Sequence, residues 1–311
     1  MARKARIKAP LGQEGVYHLR VQIAGVEGDY PLLDKEDATE LVLLMLRYAR
    51  LYYCDVAGFG LMGDHWHDVC RFEAFRPLSR ETLTELAERF YPGRYRPHDR
   101  WTDADWERFN RRVFDVSEYM RNVNSQFARY YNRRHRRKGR FWADRFKCSM
   151  AGDDGYFRHL PLYAELNPVR AHLVERPEDW PFSSARLRFT GQDQDLMPLT
   201  ELFATPDYET AVRTYRELLL WTGTQPNKEG AGTVPEAVFR EEQEGRFLTP
   251  GLFLRRHRCL SDGLVIGTRE AVQEWLDPLI EQAVYQRRRH PIPASIPGCY
   301  TLREQRGGQP I

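Results

Sequence analysis

Gly60-Leu-Met-Gly-Asp-His65-Trp-His67-Asp-Val-Cys-Arg-Phe72 is a short stretch, apolar at both ends and preceded by Gly58, that reads as a β-strand entered from a bend. His65 and His67 are separated by one residue. Successive side chains of a strand point to opposite faces, so these two imidazoles share a face and can converge on one ion. Two neutral imidazoles with room for an amide or carboxylate, water and a phosphate oxygen make an open, catalytic kind of site. Two histidines on a strand face more often meet solvent or polar neighbours than a metal, so residues elsewhere must decide.

Outward from that strand, the apolar periodicity lays out a single pattern. Gly15-Val-Tyr-His-Leu-Arg-Val-Gln-Ile-Ala24 reads as a first strand, and Asp34 as the cap of a helix whose face is Leu41, Leu44, Leu46, Tyr48 and Leu51. A second strand is expected near residues 52–57 and the histidine strand is the third. A helix started by Ser79 or Thr82 presents Leu83, Leu86 and Phe90, and residues 91–100 form a loop. One long helix is expected over residues 103–134, then a fourth strand over 145–150. A last core helix spans about 155–167, capped by Asp153 or Asp154 and closed by Pro168. Strand, helix, strand, strand, helices, strand, helix predicts an α+β fold: a ferredoxin-like antiparallel sheet with packed helices.

The last of these helices carries a second constellation. Tyr163 and Asn167 are four apart and therefore lie on one helix face. Packed beside the histidine strand, they would bring a phenol and an amide oxygen to the two imidazoles. A phosphoryl group there would meet a metal that withdraws charge and a phenol that can attack. The alternative for Tyr163 is a ring packed in the core, and for Asn167 a simple helix stop.

The 311 residues allow one large domain or two ordinary ones, with 41% hydrophobic and 29% charged residues in the globular range. No apolar run is long enough to cross a bilayer, so no membrane partner is expected, and the basic start lacks the apolar core of a secretory signal, which predicts a cytoplasmic location. Five scattered cysteines without a Cys-x-x-Cys argue for reduced thiols. The net charge of +3 hides a concentration. Residues 121–150 hold ten Lys or Arg against one acid, a net of +9. Such a block beside aromatics is the electrostatic footprint of a nucleic-acid binder, or else a solvated helix end.

Met62-Gly-Asp-His65-Trp-His67, Tyr130-Tyr-Asn-Arg-Arg-His135, Gly139-Arg-Phe-Trp142-Ala-Asp-Arg-Phe-Lys147, Tyr163-Ala-Glu-Leu-Asn167-Pro-Val-Arg-Ala171 and Trp180-Pro-Phe-Ser-Ser-Ala185 follow one another with the order and spacing of a known family. Over roughly residues 15–190 the chain resembles the single-tyrosine HUH transposases, above all the REP-associated tyrosine transposases. The resemblance implies a ferredoxin-like catalytic domain in which His65 and His67 bind Mg2+ or Mn2+, Asn167 completes the ligand set, and Tyr163 is the nucleophile. It implies cleavage and rejoining of single-stranded or hairpin DNA through a 5′-phosphotyrosine link. The basic segment, Arg133, Arg134, Arg136, Arg137, Lys138, Arg140, Arg145 and Lys147 with Trp142 as a stacking ring, would then hold the DNA. Core packing is the competing fate of Trp142.

The chain departs from the family at Gly63 and Asp64, where proline and asparagine are usual, and at Asp68, where an apolar residue is usual. Asp64, Trp66 and Asp68 fall on the face opposite the histidines, where buried carboxylates need an open surface or basic partners. Two other readings stay open: a relative that binds DNA or RNA as a regulator without cutting it, and a hydrolytic metal nuclease. The residues leave a monomer and a homodimer equally open. Beyond residue 190 a helical accessory region is expected over 200–285, with helices at 208–221, 236–246, 252–256 and 269–285, read either as a helix-turn-helix that includes residues 261–270 or as a helical cap packed on the core. Residues 1–14 are expected as a mobile basic arm and 286–311 as a disordered tail.

Overall fold

Eight residues of alternating burial, Gly15–Gln22 (β1), form the strand on which the sheet is built. The computed structural model describes residues 7–25, 31–226, 229–242, 263–281, 290–294 and 299–303. β1 lies antiparallel between His65–Phe72 (β3) and Lys147–Ala151 (β4), and β3 pairs antiparallel with Cys54–Leu61 (β2). Lys35–Ala49 (α1) connects β1 to β2, Arg80–Phe90 (α2) follows β3, Val116–Arg134 (α4) leads to β4, and Ser184–Phe189 (α7) and Leu199–Phe203 (α8) come later in the chain. The order β2-β3-β1-β4 with both crossover helices is the ferredoxin-like arrangement that the sequence pattern predicts.

The two sheet faces are decided by alternation. Tyr17, Leu19 and Val21 of β1 and Trp66, Cys70 and Phe72 of β3 join one core with Leu41 and Met45 of α1 and Tyr119, Met120, Val123 and Phe127 of α4. Val69 of β3 faces a second core with Leu160 and Ala164 of Asp154–Glu165 (α5) and Tyr215, Leu219 and Leu220 of Tyr208–Thr224 (α9). Among the described residues no helix is long and apolar enough to cross a membrane.

Several elements differ from the sequence reading, each for a local reason. The helix expected over 103–134 is two, Asp103–Arg112 (α3) and α4, because Asp115 leaves the helical register and its carboxylate accepts from the amides of Ser117 and Glu118. β2 runs on through Gly58 and Gly60, with a register shift between Val56 and Gly58 in place of a bend. Its glycines serve packing. A methyl at Gly58 would lie 2.6 Å from Pro161 Cβ, and one at Gly60 would lie 2.4 Å from the Ala164 carbonyl oxygen, so α5 rests directly on bare backbone. Pro168 sits in the first turn of Asn167–Arg170 (α6), where its missing N–H costs nothing.

The C-terminal region corrects the reading most. Gly263–Gly267 (β5), inside the expected helix-turn-helix, is a strand parallel to β4. Its Val265 and Ile266 are buried, and a β-branched pair between glycines suits the free edge of β4 better than a helix. Ile292–Pro293 (β6) and Tyr300–Arg303 (β7), within the expected disordered tail, extend the sheet to β2-β3-β1-β4-β5-β7-β6. Helices do form at α9, Glu236–Glu242 (α10), Arg269–Glu274 and Leu276–Glu281. The helix expected over 252–256 lies outside the described residues, as do the first six residues of the basic arm; its next residues are fixed rather than mobile, Ile7 being buried in the core and Lys8 paired with Asp115.

Of the two acids expected opposite the histidines, Asp64 precedes β3 and pairs with His65 itself, which leaves Asp68. Asp68 is fully buried, and its partner is the phenol of Tyr119, whose O–H donates to Oδ2 at 2.8 Å; neither an open surface nor a base is involved. Burial pushes the Asp68 carboxyl up to about 7, the Tyr119 hydrogen bond acting against that. A carboxyl whose folded pKa lies above its unfolded value is protonated in the fold while still ionising in the unfolded chain. Its contribution is therefore lost as pH rises from the ordinary carboxylate range through about 7. Asp68→Asn, which keeps the shape and an acceptor for Tyr119, should flatten this dependence. Thermal melts across pH 4–8 are expected to show the variant gaining on the parent as pH rises; parallel curves would contradict the assignment.

Candidate nucleophile and histidine site

The register places the site. His67 on β3 stands opposite Gly60 on β2 and Arg20 on β1, and Arg20 stands opposite Lys147 on β4. Cross-strand partners share a face, so Gly60, His67, Arg20 and Lys147 form one row across the sheet. α5 covers the Gly60 end of that row. Because glycine lets the helix seat on backbone, Tyr163 arrives beside the histidine: its ring centre is 5.8 Å from that of His67 and 5.7 Å from that of His18, edge-on to both. The His65 and His67 rings are 5.2 Å apart and nearly perpendicular.

Each imidazole has one nitrogen fixed by a neighbour. His65 Nδ1 pairs with the Asp64 carboxylate at 2.6 Å, and His67 Nδ1 meets His18 Nε2 at 2.8 Å. The Nε2 atoms are left for another partner. A carboxylate behind a histidine is the arrangement that orients a metal-binding ring. Burial drives the His67 pKa well below that of an ordinary histidine, with the charges of His18, His65 and Arg20 acting the same way, so the ring is neutral. The neutral ring is the metal-binding form. Asn167 donates its Nδ2 to the Tyr163 and Ala164 carbonyls at 3.0 and 3.3 Å, which keeps its Oδ1 as an acceptor. Imidazole nitrogen and amide oxygen are both donor types that divalent metal ions accept. Among the described residues no three His, Cys, Asp or Glu side chains gather in a metal-binding group.

The sequence reading missed His18. It lies in a strand that was legible, but only the register shows that it backs His67; the available signal was its alternation with Arg20. Glu165 faces away from the site. It is buried, accepts from Ser184 Oγ and, at 2.9 Å, from the Tyr215 hydroxyl of α9, and burial raises its pKa to about 7. Asp153 caps α5 through the Tyr156 amide and also accepts from the Thr268 amide beyond β5. Both ends of the tyrosine helix are thus tied to the C-terminal region.

The basic segment divides. Arg133, Arg136, Lys138, Arg140, Arg145 and Lys147 are exposed. Arg134 instead pairs with Asp34, Glu36 and the buried Asp37 at 2.7–2.9 Å, pinning the end of α4 to the start of α1. Arg137 lies over the rings of Tyr131 and Phe141. Trp142 is half-buried against Phe127 and Phe141, and its Nε1–H donates to the Asn124 carbonyl at 2.8 Å. It packs on α4, and its remaining edge borders a groove with Arg121, Arg140 and Arg145.

Comparison of the sequence with protein-family models finds no match, and comparison with curated proteins finds none either. Among solved structures, the chain is similar to a REP-associated tyrosine transposase bound to a REP hairpin, at 16% identity and a TM-score of 0.42, over 64% of this chain and 89% of that one.

Proposed function

We propose that this chain is a metal-dependent DNA transesterase of the HUH tyrosine transposase kind. It cleaves and rejoins single-stranded or hairpin DNA, with Tyr163 as nucleophile and His65, His67 and Asn167 as ligands of Mg2+ or Mn2+. The observation that carries the reading is the edge-on contact of Tyr163 with His67, at the head of a sheet row that continues into Arg20 and Lys147. A nucleophile, an imidazole pair and a cationic track on one surface are what phosphodiester exchange needs.

The bound ion would polarise the phosphoryl oxygen. The chain's own residues do the rest. Tyr163 Oη attacks phosphorus, the bond to the 3′-oxygen breaks, and the phenol's proton leaves as the 3′-oxygen gains one. A 5′-phosphotyrosine and a free 3′-hydroxyl result, and attack by a second 3′-hydroxyl rejoins strands without ATP, since one phosphodiester replaces another. His18 and Asp64 each hold one imidazole ring through its Nδ1.

The test is capture of labelled hairpin DNA on the protein in Mg2+ or Mn2+, read on a denaturing gel. The label should stay with the protein and disappear on chelation and in His65→Ala, which loses ligand and adduct but not the exposed basic surface. DNA binding without any covalent species, across hairpins and both ions, would replace this reading with that of a DNA-binding protein that does not cut.

A further inference from the structure

Two arginines flank the contact between Tyr163 and His67, and among the described residues each keeps buried guanidinium nitrogen without a hydrogen-bond acceptor. Arg170, the last residue of α6, places its guanidinium carbon 5.8 Å from the centre of the Tyr163 ring. Its Nε and Nη1 are buried with no hydrogen-bond partner among the described residues. Arg20, opposite His67, likewise has a buried Nε without a partner. A buried donor that has lost water and gained nothing costs about 1–3 kcal/mol, more when charged, and native structures keep few of them. Burial lowers the Arg170 pKa to about 10, which still leaves the group cationic at neutral pH. A cation retained at such cost beside a nucleophile points to an anion that visits the site, and guanidinium donors suit phosphate oxygens.

We propose that Arg170 is a further catalytic residue, donating to the non-bridging oxygens of the phosphate that Tyr163 attacks, and that Arg20, continued by Lys147, holds the neighbouring phosphate. The proposal rests on the reading of Tyr163 as the nucleophile toward DNA. As the bond from Oη to phosphorus forms and the bond to the 3′-oxygen breaks, negative charge grows on the oxygens that Arg170 faces. The guanidinium stays protonated throughout and takes no part in the proton balance. Arg20 and Lys147 meet a phosphate that does not react, so they act on affinity rather than on the bond-making step.

The experiment uses the full chain and a labelled hairpin oligonucleotide with a single-stranded flank. Arg170→Gln should slow single-turnover adduct formation by about 100-fold or more, with Kd changed less than about threefold, and Arg170→Lys should recover part of the rate. Arg20→Gln, measured in the Tyr163→Phe protein so that no cleavage intervenes, should weaken binding and lower the slope of log K against log salt by about 0.7, one single-strand phosphate contact. Independently of activity, the Arg170 Nε–H resonance, assigned by its absence in Arg170→Lys, should shift when the oligonucleotide is added to the Tyr163→Phe protein. An unmoved resonance, or an unchanged salt slope in Arg20→Gln, overturns the proposal even if the parent forms its adduct. A shifted resonance with no adduct in the parent would instead leave the phosphate-holding role standing and remove the nuclease reading.

Discussion

Tyr163→Phe is expected to abolish the covalent DNA adduct, lowering strand cleavage by roughly four orders of magnitude or more, while hairpin affinity stays within about twofold. The substitution removes one oxygen and leaves the ring that packs edge-on to His18 and His67. The backbone carbonyl that receives Asn167 Nδ2 is also unchanged, so the amide oxygen keeps its place. The fold has little reason to respond, since a half-buried phenol replaced by a benzene ring at the protein surface changes stability by less than about 1 kcal/mol. On the proposed function, binding would run through Arg and Lys side chains, Arg20 and Lys147 among them, that the substitution leaves unchanged, so affinity should be indifferent. Cleavage and affinity are therefore expected to separate completely in the same preparation. Cleavage that survives in Tyr163→Phe would mean that water, not the phenol, attacks, and would make the site that of a hydrolytic nuclease.

The separation between what the sequence yields and what it withholds follows the range of the interactions. His65 and His67 are legible because a strand repeats every two residues, and Tyr163 with Asn167 because a helix repeats every 3.6. Both pairs are local, and periodicity alone puts each on one face. His18, Arg20 and Arg170 depend on strand register or on the turn between α5 and α6, which no spacing encodes. The same limit explains Asp68: alternation places it opposite the histidines, but only the packing of α4 shows that Tyr119 answers it. The basic segment was legible as charge and not as roles, since Arg134 is taken up by acids a hundred residues away in the chain. In the C-terminal region, Leu264-Val-Ile266 is a short apolar run whose state is set by the free edge of β4 that receives it.

Gly60→Ala is the substitution expected to disturb the site most without touching a functional group. Its new methyl would fall 2.4 Å from the carbonyl oxygen of Ala164, one residue after Tyr163, and the obstructing atom is backbone, so no side-chain rotation can relieve it. Either β2 or α5 must move by about an ångström, and overpacking of this kind costs about 1–3 kcal/mol. α5 is held at its start by Asp153 and near its end by Glu165, so the displacement falls on the turn between them that carries Tyr163. A shift of about 1 Å in a reacting group costs on the order of 100-fold in rate. The variant should therefore bind hairpin DNA as before and form adduct about 100-fold more slowly, with faster amide exchange in α5. Ala164→Gly should not rescue it, because the carbonyl remains, whereas shaving a side chain would restore activity if the clash were with Cβ. An unimpaired Gly60→Ala enzyme would show that the helix does not owe its position to the bare strand beneath it, and the origin of the contact between Tyr163 and His67 would have to be sought in the bonds from Asp153 and Glu165 instead.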